Sequence, residues 1–322
     1  MKKQLKICIL GGTGFVGHHI TAELVDLGHR VIILTRRRQR HRDVLVWPTV
    51  SLREGDIYDS DFLVRQFRGM DVVINLVGIL NERGHRGKGF ERAHVELVEL
   101  ISKAVQTTGV RRLLHMSALN ASKDAPSHNL RTKARGEDLA HMIPGCAVTS
   151  FRPSVIFGEH DTFTTRFAKL LASIPWIFPL AKPDARLQPI HIDDVARCFV
   201  RSIGQHETFG RSYNLGGPKV YTLYDIVEYI NVVIGLDRRI LRLRDWQARI
   251  QASLLEWAPG KPFSVDNLRS LEVDSICHTP CPLPFGIEPT PMETVVPVYL
   301  SAGSDSLTRI RYQPSVPVNR AD

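Results

Sequence analysis

With 43% hydrophobic and 23% charged residues, this 322-residue chain reads as a globular protein large enough for a sizeable core. No apolar run approaches the ~18 residues of a membrane span, and the five cysteines are too scattered for a disulfide framework. The net charge of +9, from 42 basic and 33 acidic residues, permits contact with nucleic acid or an anionic membrane and demands neither.

The chain starts Met1-Lys2-Lys3-Gln4 and runs into Leu5-Lys6-Ile7-Cys8-Ile9-Leu10, an apolar stretch too short for a signal peptide and read as a first strand. The turn Gly11-Gly12-Thr13-Gly14-Phe15-Val16-Gly17 follows, then a helix closed by Gly28. Strand, glycine-spaced turn and helix in that order suit a dinucleotide phosphate. Gly11 permits the tight turn, Gly14 lets backbone approach the pyrophosphate, and Gly17 lets helix and strand pack closely. The amides from Thr13 to Gly17 then face the anion.

Residues 29–35, 50–56 and 71–78 read as the second, third and fourth strands, the last apolar enough to be buried on both faces. Residues 91–108 have helical period, with Val95, Leu97, Val98, Ile101, Ala104 and Val105 facing inward and Gly109 as the stop. Strands over 112–117 and 147–152 flank a helix through Leu139. This alternation predicts a Rossmann-like α/β fold, a doubly wound parallel sheet with right-handed crossovers.

After Pro153 the pattern loosens into a smaller α/β region. Helices are expected over 164–173, 223–234 and 245–257, and strands over 212–215 and 239–243. Trp176, Ile177 and Phe178 sit between prolines, and Arg238, Arg239, Arg242 and Arg244 cluster downstream. These residues suit an apolar lip or an anionic membrane contact; the plainer alternative is core aromatics and solvated arginines. The expected organisation is a dinucleotide-binding domain over 1–160, its sheet completed by parts of 185–220, a smaller region over 161–300, and a disordered tail over 301–322. Cys277-His278-x-x-Cys281 holds metal-ligand residue types, but nothing completes a tetrahedral set, so no metal is expected.

At the end of the second strand an acidic residue would accept the adenosine ribose and favour NAD. Thr35-Arg36-Arg37 stands there instead, and arginines can clamp a 2′-phosphate, so NADP (NADPH) is expected over NAD. Asp56 and Ile57 follow the third strand toward the adenine, and Val77-Gly78 follow the fourth beneath the ribose.

These residues resemble the extended or atypical short-chain dehydrogenases/reductases. The match runs through Gly11-x-x-Gly14-x-x-Gly17, Asp56, Asn75-Leu76-Val77-Gly78, Ser117, Lys133, Arg152-Pro153-Ser154-Val155-Ile156-Phe157-Gly158, His191-Ile192-Asp193-Asp194-Val195-Ala196 and Tyr213-Asn214-Leu215-Gly216-Gly217. More narrowly, Ser117-Ala118-Leu119-Asn120-Ala121 and Pro259-Gly260-Lys261-Pro262 with Asp266-Asn267-Leu268 are similar to bacterial relatives of the nucleotide-binding accessory subunit of mitochondrial complex I.

The resemblance implies a cofactor site that includes Ser117, Lys133, Pro153 and Val155. It also implies a catalytic Tyr four residues before Lys133, with Ser117 polarising the substrate. Asn129 stands at the Tyr position, and an amide does not titrate near neutral pH. His128 titrates in the right range but lies about 100° round the helix from the face carrying Lys133. His191 is read as structural, with Asp193 or Asp194 capping the next helix.

The expectation is thus a nicotinamide-dinucleotide-binding protein, catalytically weak or silent. A structural, assembly, quinone or complex I-linked role is implied, in the cytoplasm or peripheral to the inner membrane. The alternatives are a working reductase, epimerase or dehydratase on a quinone-like, isoprenoid or nucleotide-sugar substrate, or a regulator using its basic surface. Nucleic acid is not expected, since no aromatics interleave with the run from Arg36 to Arg42.

Overall fold

The structure is a computed structural model that describes residues 3–300 apart from positions 83, 85, 259–260, 262 and 278–280. The expected tail over 301–322 and Pro259, Gly260, Pro262 and His278 lie outside the described residues.

The first half alternates β1 (Lys6–Leu10), α1 (Phe15–Asp26), β2 (Arg30–Thr35), β3 (Val50–Glu54), α2 (Ser60–Phe67) and β4 (Val72–Asn75). It continues through α3 (Lys88–Glu91), a π turn (Arg92–Glu96), α4 (Leu97–Thr108), β5 (Arg112–Met116), α5 (His128–His141) and β6 (Ala147–Pro153). Beyond these come β7 (Ile156–Phe157), α6 (Thr164–Ser173), β8 (Ile177–Leu180), β9 (Arg186–Leu187), β10 (Ile190–His191) and α7 (Ile192–Ser202). The remaining elements are β11 (Arg211–Leu215), β12 (Tyr221–Thr222), α8 (Leu223–Val233), β13 (Arg239–Arg242), α9 (Asp245–Leu255) and α10 (Val265–Ser270).

Seven strands form one parallel sheet in the order β11-β6-β5-β4-β1-β2-β3. Successive residues of a strand point to opposite faces. Ile7 and Ile9 therefore pack with Ile20 and Leu24 of α1 and Val195 and Phe199 of α7. Cys8 and Leu10 pack on the other face with Phe62, Leu63 and Phe67 of α2 and Leu97 and Ile101 of α4. Helices on both sides explain why β1 and β4 are apolar apart from Lys6 and Asn75 at their ends. Strand order reverses between β1 and β4, which opens a crevice at their carboxyl ends.

A third core joins the smaller region, where Phe157, Leu171, Phe178 and Leu180 meet Ile226, Ile230, Met292 and Val296. Phe178 is thus core, while Trp176 and Ile177 are exposed. The segment between prolines is the strand β8, which pairs in parallel with β13.

Several expectations change. The short helix α2 went unread; Asp59 starts it by accepting from the amides of Asp61 and Phe62. The single helix over 91–108 begins earlier and passes through the π turn. Neither Asp193 nor Asp194 caps α7: His191 stands at the cap without a side-chain bond. Distant partners draw both acids away. Asp193 meets His19 Nδ1 at 2.7 Å, and Asp194 accepts from Thr290 and Arg197. Cys277 and Cys281 are joined as a disulfide rather than left as thiols.

Candidate functional site

The crevice is built first by the glycine turn. Gly11 has φ +79°, and a Cβ there would lie 3.0 Å from the Leu76 carbonyl carbon at the end of β4. A Cβ on Gly17 would lie 2.5 Å from Gly12 Cα, so any side chain would force α1 away from the turn. Gly14 caps α1 with no side-chain acceptor, and the first turn of α1 carries no acidic residue. The amides of Phe15, Val16 and Gly17 are left to an anion, which fits a pyrophosphate.

At the adenosine end, Thr35 is buried and Arg36 and Arg37 are exposed. Thr35 accepts from Gly55 N through its carbonyl, which holds the β3 turn beside it (3.0 Å). Asp56 Oδ1 receives Tyr58 N at 3.0 Å, and Ile57 is half-buried against the α2–α4 core. The Arg92 guanidinium lies 4.1 Å over the Tyr58 ring. Burial raises the Tyr58 phenol above its ordinary value, against the opposing charges of Arg92 and Arg36.

At the other end, Lys133 Nζ donates to the Met116 carbonyl at 2.9 Å and lies 3.3 Å from where a Cβ on Gly78 would stand. Lys133, Gly78 and the end of β5 therefore meet, with Gly11 next to Leu76 and Val77. Burial pushes the Lys133 ammonium down to about 8, with Glu137 resisting the shift. Burial also raises Glu137, but hydrogen bonds from Arg152 and Ser212 outweigh it and hold the carboxyl below its usual range. His94 and His115 are pushed far down by burial and by Lys133, His115 to about 3, so both stay neutral at physiological pH.

Four buried polar atoms here make no hydrogen bond of good geometry: His94 Nε2, His115 Nε2, Ser117 Oγ and Asn129 Oδ1. Ser117 lies near the Glu137 carboxylate. Such orphaned atoms need an explanation, and a polar ligand or ordered water is the usual one. The site fits a nicotinamide ribose and carboxamide: donors on Lys133 and Ser117, and acceptors on His94 and Asn129.

Among the described residues of α5, no phenol stands on the Lys133 face. Asn129 occupies the position one turn before Lys133. His128 turns elsewhere, its Nδ1 taking a 3.1 Å contact from Arg131 Nη2 beside Gly87. Pro153 is buried at the end of β6, and Val155 packs into the third core. His191 packs its ring 5.3 Å from Phe157, and Tyr213 stacks on Phe151.

The profile of the NAD dependent epimerase/dehydratase family matches residues 7–216, from β1 to the end of β11. The chain belongs to that family. Within it, the mitochondrial NADH dehydrogenase (ubiquinone) 1 alpha subcomplex subunit 9 of Mus musculus is 28% identical over 312 residues, covering 88% of this chain and 77% of that protein. A ceramide reductase of Caulobacter vibrioides is 29% identical over 249 residues and covers 74% of each chain. A nucleoside-diphosphate-sugar epimerase from Staphylococcus aureus superposes with a TM-score of 0.72 at 19% identity, over 92% of this chain and all of that one. The family's ligand is a nicotinamide dinucleotide, in agreement with the crevice.

Sequence reasoning assigned no role to His94, His115 and Glu137, and placed Asp266 only within a matched segment. His115 is two residues before Ser117 on β5, so its side chain shares that face; strand alternation was the available signal. His94 gave none, because the π turn shifts the helical register that would place it. Asp266 acts from a distance, its two carboxylate oxygens accepting the amides of His128 (2.7 Å) and Asn129 (3.1 Å).

Proposed function

We propose that this chain holds a nicotinamide dinucleotide, NADPH in preference to NADH, and turns it over weakly or not at all by the family's usual route. The observation that carries this reading is the amide of Asn129, its oxygen buried without a partner, where a proton-donating phenol is needed beside Lys133. The bound dinucleotide supplies hydride chemistry. The protein supplies Lys133 and Ser117 as donors around it, but among the described residues of α5 no phenol is poised to move a proton. Losing such an acid/base group costs about 10²–10⁴ in rate. Arg36 and Arg37, exposed at the end of β2, support the phosphate preference. The test is thermal unfolding with added cofactor. NADPH raises the transition more than NADH, and Arg36→Ala removes the difference; equal effects of the two cofactors on the parent protein would overturn the preference.

We place this function at a membrane surface. Trp246, Ile250 and Leu254 share one face of α9, more than half exposed, opposite the buried Ala248 and Ala252. Trp176, Ile177 and Leu241 lie on the neighbouring β8–β13 pair and are also exposed. Exposed Arg239, Arg244 and Arg249 supply the charge that an anionic bilayer attracts. The complex I subunit among the relatives supports an assembly or quinone-linked role there.

A second reading, a reductase for a carbonyl on a lipid, is favoured by Lys133 itself. A buried ammonium pushed down to about 8 can release a proton near neutral pH. The ceramide reductase is the relative that supports it. NADPH oxidation on adding a keto-lipid, lost in Lys133→Met, would decide for this reading.

A further inference from the structure

Outside the crevice, the segment from Arg86 to Glu91 and the outer face of α5 border a half-open cavity of about 280 Å³. Arg86, Lys88, Lys123, Arg131 and Arg135 line it, with Glu91 as the one carboxylate. Glu91 is taken by Arg135 at 2.8 Å, and Lys123 pairs with Asp138 at 2.7 Å while still lining the cavity. Arg86, Lys88 and Arg131 form no ion pair among the described residues. Like charges gathered in a concavity repel one another unless an anion joins them.

The walls are fixed. Arg131 is half-buried, its Nη1 donating to the carbonyls of Ala125 (2.7 Å) and Pro126 (3.0 Å) and its Nη2 facing His128. The Glu82 carboxylate takes the amides of Gly87 and Gly89 at 2.6 and 2.7 Å, which anchors those two glycines. Gly87 has φ +76°, and a Cβ there would lie 2.5 Å from His128 Nδ1, so only glycine lets this segment approach α5. A guanidinium held by backbone carbonyls, with no carboxylate of its own, is arranged to bind an anion from outside.

We propose that this cavity is a second anion site, separate from the dinucleotide crevice, which takes a phosphate or diphosphate group. Its volume falls just below the ~300 Å³ at which ordinary ligand pockets begin, so it suits a headgroup rather than a whole nucleotide. Thr132 lines the cavity, and its hydroxyl lies 2.9 Å from His94 Nδ1. An occupant therefore sits one side chain from the ring that faces Gly78. The proposal does not depend on the cofactor reading.

The two sources of such a group are a soluble phosphorylated molecule and a lipid headgroup. Amine acetylation read by mass spectrometry tests both on the full chain. Inorganic pyrophosphate is expected to slow labelling of Lys88 and Lys123 by about threefold at twice its dissociation constant, with Lys103 and Lys169 unchanged. Arg131→Ala is expected to abolish this protection, with thermal unfolding as the check on folding. Arg86→Ala, at an exposed position, gives the same readout if Arg131→Ala fails to fold. Phosphatidylglycerol vesicles that protect the same two lysines when phosphatidylcholine vesicles do not would identify the lipid source; protection by pyrophosphate alone would identify the soluble one. Uniform labelling of all four lysines under every condition, or protection that survives both substitutions, would overturn the proposal.

Discussion

Lys133 sets the chemistry available at the crevice. Its ammonium is held below the ordinary lysine range because burial penalises charge, so protons leave the native state at a lower pH than the unfolded chain. Between about 8 and the ordinary 10.5 the unfolded state binds more protons, and stability contributed by this group rises with pH across that window. Lys133→Met should flatten that part of the stability profile, read by denaturant titration at a series of pH values. A profile that stays unchanged would mean the ammonium is better solvated than its burial implies. Ser117 and Lys133 were legible because their spacing survives as a motif. His94 was not, since it becomes a neighbour of Lys133 only through packing; Glu137 stands one turn after Lys133 on α5, a spacing that was available and went unread. Arg112 makes the same point in the scaffold. It is buried on β5 with bonds to the carbonyls of Ala147, Ser202 and Ile203, which tie the end of α7 to the sheet. Arg112→Leu should lower unfolding stability by about 2–4 kcal/mol, because it leaves buried carbonyls unpaired.

The helix α5 carries Asn129 and Lys133, and one local group and one chain-distant group start it. Ser127 Oγ accepts Leu130 N, and Asp266 accepts His128 N and Asn129 N. Asp266→Ala should therefore cost about 1–2 kcal/mol of stability and weaken cofactor binding, because the cap and the orientation of the first turn are lost together. Binding unchanged in a destabilised variant would mean that the cap serves folding alone. The elements with strong period were legible: β1, β4, α4 and α6 stand close to where their patterns place them. The short pieces were not. The helix α2 has only eight residues, and β8 reads as a proline-broken coil until β13 supplies its hydrogen bonds. The apolar face of α9 was hidden for a related reason, since period alone cannot say which side of a helix the rest of the fold covers. Trp246→Glu with Ile250→Glu should reduce partitioning to phosphatidylglycerol vesicles by at least about tenfold, given roughly 1.5–3 kcal/mol for each apolar side chain fully removed from water. Undiminished partitioning would move the contact away from α9.

Across the whole molecule, the sheet order places the glycine turn, the ends of β2 and β3 and the Lys133 cluster along one crevice. Alternation in the sequence was enough to give this doubly wound order. It could not show how the later chain returns to that crevice. Asn81 Nδ2 donates to the Lys261 carbonyl, Asn267 Nδ2 to Leu80 and Asn120 Nδ2 to Asp274, so the segment around α10 ties the loops after β4 and β5. No helix among the described residues is long and apolar enough to cross a membrane. On the proposed function, the cofactor is held more surely than it is used. Native mass spectrometry of the purified protein tests it most directly, followed by the absorbance of added NADPH over time. The expected result is a one-to-one complex with the dinucleotide, as purified or after adding NADPH, and a reduced cofactor that persists in the presence of quinone and keto-lipid. A protein that binds no nicotinamide nucleotide, or that oxidises NADPH rapidly with either compound, would contradict it.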